Sequence, residues 1–376
     1  MLALQSLGFP LEADGTTVTV TGQGGSFPVD RADLDMQLSG TSLRFLVPIL
    51  AAGHGEYRFH GTQRMHQRPV GDLLDALVRL GVDVRSEADT GCPPVLLSAR
   101  GLKGGATVVQ GERSSQFLSG LLLAAPLASG GLDIMVEGDL QSRPFVDLTL
   151  SMMQDFGVTV QRTGYERFLV QPQQYRARDL AIEGDATAAG NFWVAAAITG
   201  GTVRVNNVGT GTVQGDRGLA DVLGTMGCSV EWTGTGCTVT GPESGLLRGG
   251  TFDLNDMPDQ VLPLSVAGLF TDTPLTITNV SNLRIKETDR ISALVNELRA
   301  VGAHVEEGPD WLRVHPLTDP KPAAISTYGD HRMAMAFAVA ALRVDGIEII
   351  DPDCVNKTYP DYWRDMAALR ASAGAT

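Results

Sequence analysis

The chain has 376 residues, of which 43% are hydrophobic and 19% are charged, and its formal net charge is −14. The length favours two globular domains, and the negative charge argues against a nucleic-acid ligand, which requires a basic surface. Its four cysteines form neither a CxxC pair nor a Cys/His spacing typical of zinc, and its most apolar stretch is too short to span a bilayer. We expect a cytoplasmic protein that contacts neither nucleic acid nor membrane.

Amphipathic helices recur along the chain, each followed by a β-rich stretch. Together these segments occupy 73–84, 148–160, 219–230 and 294–305. A glycine stands just past the last apolar position of each helix, where a left-handed C-cap residue belongs: Gly81, Gly157, Gly227 and Gly302. Gly8 follows a similar segment at the start of the chain.

A second kind of helix is apolar on nearly all sides and is therefore expected to be buried. These helices are predicted to start near residues 41, 115, 187, 259 and 331, roughly every 73 residues. Each leads into a β-rich stretch such as EYRFHG or TVRVNNV. Six such units in two sets of three predict an α/β (α+β) protein with two domains, 1–184 and 185–376.

The repeat also bears on the start of the chain. One period before residue 41, the first buried helix of the series would precede Met1. We therefore expect the chain to lack most of its first unit, about 50–60 residues if the repeat is regular. The alternative is that the first unit is present but its sequence has diverged from the repeat pattern.

Polar segments precede the buried helices. A helix start is a natural anion site, because its N–H groups are unpaired and its dipole end is positive. The segments are LSGTSLR (38–44), ERSSQ (112–116), EGDAT (183–187), NDMPDQ (255–260) and YGDHR (328–332). A purely structural interpretation also exists, in which Ser114 is an N-cap and Asp330 caps an exposed first turn.

The segment SNLRIKETDR, residues 281–290, concentrates three cations and two carboxylates. A solvated helix entrance is one interpretation of it. However, Lys286 and Arg290 are four residues apart and would share one face of a helix. A partly buried Glu287 beside them would suit a general acid. The segment is therefore a candidate anion clamp that carries an acid/base group.

Several motifs resemble those of one known family. The segments NLRIKETDR, YGDHRMAM, RSSQFLSGLL, QRPVGDLLDAL, EGDAT and DPDCVNKTYPDYW are similar to motifs of the 5-enolpyruvylshikimate-3-phosphate synthases (3-phosphoshikimate 1-carboxyvinyltransferases). The resemblance extends from residue 1 to the C-terminal region. It implies a monomeric inside-out α/β barrel of two domains with three repeats each.

The resemblance also implies a reaction. Phosphoenolpyruvate and shikimate 3-phosphate combine through a tetrahedral intermediate and release phosphate, in chorismate and aromatic amino-acid biosynthesis. Neither a metal nor an organic cofactor is implied. Arginine and lysine suit this chemistry, because two substrates of the same negative sign must be held together.

Site residues follow from the resemblance by position. Those that resemble shikimate 3-phosphate contacts are Ser114, Ser115, Gln116, Ser142, Asp259, Asn282 and Lys286. Those that resemble phosphoenolpyruvate contacts are Gly40, Arg68, Gln116, Arg290, Arg332 and Lys357. Asp259 matches the base for the attacking hydroxyl, and Glu287 matches the carboxylate for proton transfer at the methylene carbon. The resemblance also implies that the first domain, 1–184, binds shikimate 3-phosphate.

The sequence departs from the family at three points. The family's Lys-Ser…Arg segment of the first unit has no counterpart, Leu38 stands where Asn is usual, and Phe145 stands where Tyr is usual. Two alternatives therefore stay open. One is a truncated remnant with impaired catalysis, and the other is a UDP-N-acetylglucosamine enolpyruvyl transferase, which shares the fold but not the RSSQFLSGLL motif.

Overall fold

The computed structural model describes residues 1–373, and the chain forms two compact units, Met1–Leu180 and Ala181–Thr376. Each unit has its own apolar core. Phe59, Phe117 and Phe168 lie in the core of the first unit, and Trp193 and Phe337 lie in that of the second. Within residues 1–373, no helix is both long and apolar enough to cross a membrane.

The first unit combines helices with short strands. Its helices are α1 (Leu2–Ser6), α2 (Gly40–Ala51), α3 (Gly71–Arg79), α4 (Ser115–Ala124) and α5 (Arg143–Asp155). Its strands are β1 (Leu11–Asp14), β2 (Thr17–Val20), β3 (Arg31–Asp35), β4 (His54–His60), β5 (Asp83–Ser86), β6 (Val95–Arg100), β7 (Gly105–Gln110), β8 (Leu132–Glu137), β9 (Gln161–Thr163) and β10 (Arg167–Val170). Short 3₁₀ turns occupy Met65–Gln67 and Ala125–Leu127.

The second unit is built in the same way. Its helices are α6 (Ala186–Thr199), α7 (Gly218–Thr225), α8 (Val261–Ala267), α9 (Arg290–Ala300), α10 (His331–Ala340) and α11 (Tyr362–Ala373). Its strands are β11 (Thr202–Asn206), β12 (Ser229–Thr233), β13 (Gly236–Thr240), β14 (Gly250–Asp253), β15 (Leu275–Thr278), β16 (Val305–Glu307), β17 (Leu312–Val314), β18 (Ala323–Ser326) and β19 (Ile347–Ile350). Its 3₁₀ turns are Gly215–Arg217, Pro258–Gln260, Gly268–Phe270, Ser281–Ile285 and Pro352–Lys357.

One strand order recurs among the sheets. The sheets β3-β4-β6-β5, β7-β8-β10-β9 and β14-β15-β17-β16 each pair their first two strands in parallel and the others antiparallel. The sheet β11-β13-β12 corresponds to the last three strands of this order. The parallel sheet β18-β19 corresponds to its first two strands, and the antiparallel hairpin β1-β2 corresponds to its last two. The chain is thus an α/β protein with mixed sheets, in which a β-α-β-α-β-β motif repeats.

The predicted helices are present, and the two helix types behave as their patterns indicate. All residues of α8 are buried, whereas α3 buries only the side that carries Leu73 and Leu77. The helix predicted from residue 259 is shorter than expected, because 3₁₀ turns flank α8 on both sides. The five glycines predicted to follow helices, Gly8, Gly81, Gly157, Gly227 and Gly302, all have positive φ angles, as a left-handed C-cap requires.

Close packing of α2 against α4 in the first unit depends on Gly120. A Cβ atom at this position would lie 2.3 Å from the carbonyl oxygen of Arg44 and 3.1 Å from Cγ of Pro48. Because one of these atoms belongs to the backbone, the clash is not relieved by a rotamer change. We therefore expect Gly120→Ala to lower the free energy of unfolding by about 1–3 kcal/mol, as measured by urea denaturation.

Gly224→Ala in α7 is the matched control for this prediction. A Cβ atom there would meet Val230 Cγ2 at 3.5 Å, an ordinary contact distance. Alanine is the better helix former, so this variant should gain about 0.5–1 kcal/mol. A Gly120→Ala protein as stable as the parent would contradict the packing argument.

Candidate functional site

The charged residues of the second unit are organised around Arg290, the first residue of α9. Its side chain is only 1% exposed. Its guanidinium donates from Nε and Nη2 to Asp330 (2.7 and 3.2 Å), from Nη1 to Asp259 (2.7 Å) and from Nη2 to Glu287 (2.9 Å). Burial disfavours the charge, but the three carboxylates outweigh it and raise the pKa of Arg290 above its ordinary value. Arg290 therefore binds three carboxylates at once.

The segment that precedes α9 positions these groups without being helical itself. Lys286 follows the 3₁₀ turn Ser281–Ile285 in an extended conformation (φ −81°, ψ −154°). The expectation that Lys286 and Arg290 share a helix face is therefore wrong, because α9 begins only at Arg290. Its N-cap is Asp289, whose Oδ1 accepts from the Ser292 N–H at 3.1 Å. Asn282 is buried in the same 3₁₀ turn.

Asp259 lies among three cations. Besides Arg290, its carboxylate contacts Lys286 Nζ at 3.5 Å and Arg332 Nη2 at 3.1 Å. Burial alone raises the pKa of Asp259, but Arg332, Lys286 and Arg290 together hold it well below its ordinary value. The carboxylate is consequently ionised and is a weak base while these cations remain next to it.

Glu287 bridges Arg290 to a second lysine. Lys357, which ends the 3₁₀ turn Pro352–Lys357, donates from Nζ to Glu287 Oε1 at 2.5 Å. The Glu287 side chain is 10% exposed and that of Lys357 is 27% exposed. We name the whole group the Arg290 cluster; its members are Asp259, Lys286, Glu287, Arg290, Asp330, Arg332 and Lys357. Because its carboxylates are already paired with cations, the cluster favours an anionic ligand over a metal ion.

Asp330 and His331 are buried, so the alternative interpretation, in which Asp330 caps an exposed first turn, does not hold. Asp330 is 0% exposed and His331 is 2% exposed. Asp330 does cap α10, since its Oδ1 accepts from the Arg332 N–H at 3.0 Å. The same carboxylate also binds Arg290, which is why it lies inside. Burial and the nearby Arg332 lower the pKa of His331 to about 3, so its ring is neutral near pH 7.

In the first unit, polar side chains meet where α2 and α4 begin. Gln116 donates from Nε2 to Thr41 Oγ1 at 2.8 Å and accepts at Oε1 from Arg44 Nη1 at 2.8 Å. Arg44 also donates to the Pro69 carbonyl at 2.8 Å, and its guanidinium carbon lies 5.0 Å from the Phe117 ring centroid. These contacts fix the orientation of the Gln116 amide.

Arg68 and Gly40 lie side by side in the same unit. Arg68 Nη1 donates to the carbonyl oxygen of Leu38 at 2.8 Å, a contact that does not depend on the side chain at position 38. A Cβ atom on Gly40 would lie 2.8 Å from Arg68 Nη2. Glycine at this position therefore leaves room for the guanidinium.

The serines predicted to bind substrate begin helices α4 and α5. Ser114 is the N-cap of α4, and its Oγ accepts from the Gln116 N–H at 3.3 Å. Ser115 and Ser142 are buried, and Ser142 has a left-handed backbone (φ 56°) immediately before α5. Phe145, where the family usually has tyrosine, donates its N–H to the Ser142 carbonyl at 3.1 Å. The backbone here is therefore held by local contacts.

Three residues at these sites were not predicted from the sequence: Arg44, Asp330 and Asp216. Arg44 and Asp330 belong to quoted segments, but nothing in the sequence distinguishes an inward side chain from an outward one at a helix start. Asp216 is buried in the 3₁₀ turn Gly215–Arg217, and its Oδ1 has no hydrogen-bond partner. Burial and the nearby Asp259 raise the pKa of Asp216 to about 7.

Comparisons with known proteins identify the family. The family model of EPSP synthase (3-phosphoshikimate 1-carboxyvinyltransferase) matches residues 1–366. The chain belongs to this family. A 3-phosphoshikimate 1-carboxyvinyltransferase from Laribacter hongkongensis is 45% identical, and the alignment covers 98% of this chain and 87% of the relative. A relative of the same name from Marinomonas sp. is 43% identical over 94% of this chain and 83% of its own length.

Solved structures agree with the sequence matches. The structure of an EPSP synthase from Acinetobacter baumannii superimposes with a TM-score of 0.78 at 25% identity, and covers 98% of this chain and 85% of the other. The enolpyruvyl transferase NikO from Streptomyces tendae, at 20% identity and a TM-score of 0.71, shares the fold. The expected absence of most of a first unit finds no support in these matches and stays a prediction.

A pH-dependent stability is expected from Asp216. The folded state holds its proton up to about pH 7, whereas the unfolded chain releases it near pH 4. The folded state therefore binds more protons between these values, and stability falls as pH rises through this window. We expect Asp216→Asn to be more stable than the parent at pH 8, on the order of 1–4 kcal/mol, and this gain should fall to about a quarter of that value at pH 4.5.

Urea denaturation of both proteins at the two pH values measures this difference. His331 acts in the opposite direction, because its lowered pKa makes the parent lose stability as pH falls below about 6.5. The comparison at each pH removes this contribution, since both proteins contain His331. A gain of the same size at pH 4.5 and pH 8 would show that Asp216 does not titrate in this way.

Proposed function

We propose that this chain transfers the carboxyvinyl group of phosphoenolpyruvate to a hydroxyl group of shikimate 3-phosphate and releases phosphate, as a transferase of the shikimate pathway. Membership of the EPSP synthase family supports this reaction. The observation that carries the proposal for the site is the Arg290 cluster, which concentrates four cations in a protein of net charge −14. Two anionic substrates need such a local excess of cations to overcome the overall field.

Different exposure of these cations suggests different tasks. The side chains of Lys286, Arg332 and Lys357 are 25%, 16% and 27% exposed, so they are accessible to a ligand. Arg290 is enclosed, and its four hydrogen bonds to carboxylates occupy most of the five N–H donors of an arginine. We therefore assign substrate binding mainly to the three exposed cations, and assign to Arg290 at most one direct contact with phosphoenolpyruvate.

The remaining assignments follow the family resemblance. For shikimate 3-phosphate, the proposed contacts are Ser114, Ser115, Gln116, Ser142, Asp259, Asn282 and Lys286. For phosphoenolpyruvate, they are Gly40, Arg68, Gln116, Arg290, Arg332 and Lys357. The fixed amide of Gln116 and the space at Gly40 support these roles, because a bound anion requires donors that are already oriented.

Asp259 is the proposed base of the addition step. Its carboxylate takes the proton of the shikimate hydroxyl while the hydroxyl oxygen forms a bond to C2 of phosphoenolpyruvate. The methylene carbon C3 gains a proton in the same step, which gives a tetrahedral intermediate. Elimination then breaks the C2–O bond to phosphate and returns the C3 proton to the protein, so the enol ether is formed and phosphate leaves.

The cations around Asp259 also suggest how its basicity is controlled. Arg332 and Lys286 are two of the groups that hold its pKa down in the free protein. When anionic substrate groups pair with these two cations, their effect on Asp259 weakens and its carboxylate becomes a stronger base. The base would therefore be activated only once substrate is bound.

Glu287 and Lys357 are the proposed pair for proton transfer at C3. Lys357 donates a hydrogen bond to Glu287, and both side chains are partly exposed. A proton held between a carboxylate and an ammonium group can be delivered to C3 in the addition and recovered in the elimination. Arg290 keeps Glu287 in place through its 2.9 Å hydrogen bond.

The wider architecture is also part of the proposal. We propose the inside-out α/β barrel of this family, with a first domain 1–184 that binds shikimate phosphate and a second domain 185–376 that carries the Arg290 cluster. The recurring β-α-β-α-β-β motif supports this assignment. We further propose that the protein is a cytoplasmic monomer.

Removal of an exposed cation tests the binding site. Lys286→Ala and Arg332→Ala should each lower kcat/KM by about 10²–10³-fold, because each removes a charge that stabilises anionic substrate groups. Each should also fail to support growth of an aromatic-amino-acid auxotroph that the parent gene rescues. Lys321→Ala, at a surface lysine that is 61% exposed beside Asp319, is the control and should retain activity. Growth supported by both site variants would refute the assignment.

The role of Glu287 is tested by hydrogen exchange. Glu287→Gln removes the proton carrier but keeps a similar shape, so kcat should fall by about 10²–10⁴-fold with little change in KM. In deuterated water the parent should introduce deuterium into the methylene group of unreacted phosphoenolpyruvate and of product. A variant that turns over and exchanges deuterium at the parent's rate would show that another group transfers this proton.

A further inference from the structure

A histidine pair lies on the outer face of the β16–β17 hairpin in the second unit. The two strands pair in register as Val305 with Val314 and Glu306 with Arg313. The two valines are buried, so their neighbours along each strand point to the opposite face. His304 and His315 are adjacent there, since the His315 N–H donates to the His304 carbonyl at 3.0 Å.

Glu306 completes a compact set of three side chains. His315 Nε2 lies 2.8 Å from Glu306 Oε1, and the two imidazole rings have centroids 4.3 Å apart. One ligand atom from each of His304, Glu306 and His315 lies within 4.8 Å of the others.

We propose that His304, Glu306 and His315 bind a divalent transition-metal ion, with Zn²⁺ as the reference case. Two imidazole nitrogens and one carboxylate oxygen form a known zinc ligand set, in which water takes the fourth position. Magnesium and calcium prefer oxygen ligands throughout and are not favoured by this set. The site is independent of the proposed transferase reaction.

The geometry requires only small side-chain movements. Ligand bonds of about 2.0 Å at tetrahedral angles place ligand atoms about 3.3 Å apart. The distance from His315 Nε2 to Glu306 Oε1 is 2.8 Å and must increase slightly to reach this value. No two of the three ligand atoms lie more than 4.8 Å apart, so the longest distance between them must decrease by at most about 1.5 Å. His304 is exposed and His315 is partly exposed, so both rings can adjust by rotation about their side-chain bonds. The backbone pairing of the two strands already supplies the framework.

Arg313 is the neighbouring group that opposes a cation. Its Nη1 lies 3.9 Å from Glu306 Oε1, and its Nε donates to Thr276 Oγ1 at 3.0 Å. A metal ion at Glu306 would be repelled by this guanidinium. Removal of the charge at position 313 should therefore tighten metal binding, which a nonspecific surface site would not show.

A bound ion would connect the two strands of the hairpin. Since the ligands come from both β16 and β17, an ion that binds only the folded state raises the stability of the second unit. Spacing in the sequence does not reveal the set, because the ligands are brought together by strand register rather than by a turn of helix.

The test is calorimetric titration of the untagged full chain with zinc chloride alone. One ion per chain should bind, and His304→Ala and His315→Ala should each weaken binding at least about tenfold. His54→Ala, at an exposed histidine on β4 in the first unit, is the control and should leave affinity unchanged. Arg313→Gln should bind zinc more tightly than the parent.

Titration with Co²⁺ gives a second readout, because its visible absorption reports coordination by nitrogen and oxygen ligands. The proposal is supported if the parent shows this absorption and both histidine variants lose it. It is overturned if zinc does not bind in a saturable manner at millimolar concentration. Equal affinity of the parent and both histidine variants would overturn it as well, since the ion would then bind elsewhere.

Discussion

The arrangement of the second unit depends on one buried guanidinium that binds three carboxylates. Arg290 satisfies Asp259, Glu287 and Asp330 with hydrogen bonds of 2.7 to 3.2 Å, and Asp330 in turn caps the helix that carries Arg332. Loss of one partner from a buried charge network costs about 3–5 kcal/mol, because the other charges remain without compensation. The position of the carboxylates proposed to react and the stability of this unit therefore have the same physical basis.

Under the proposed function, this network also explains how an acidic protein accommodates anionic substrates. The enclosed arginine neutralises carboxylates, which leaves Lys286, Arg332 and Lys357 at the accessible side of the cluster. Asp216 and His331, buried close to the same charges, have pKa values displaced in opposite directions from those of free side chains, and both are consequently neutral over part of the physiological range. Burial is thus the main determinant of the charge of Asp216 and His331, the two titratable groups next to the Arg290 cluster.

Local sequence patterns predicted the elements and several of their ends, whereas tertiary contacts decided the details of the site. Positive φ angles at Gly81 and Gly302 follow from a local rule about helix ends, which a sequence contains. The extended conformation of Lys286 does not follow from any local rule, because it depends on contacts of the preceding 3₁₀ turn. Burial of Asp330 follows from Arg290, forty residues earlier in the chain, and no local pattern distinguishes such a carboxylate from an exposed cap.

The recurring sheet order has a consequence for how the protein is made. Each sheet of residues 1–373 consists of strands that are close neighbours in the sequence, with no strand borrowed from a distant part of the chain. The widest of these pairings, His54 with Arg100 on β4 and β6, spans only 46 residues (100 − 54), which limits the loop-closure entropy that folding must overcome. During translation, a sheet can form soon after its last strand leaves the ribosome, so few apolar strands are exposed together to chaperones or to other nascent chains.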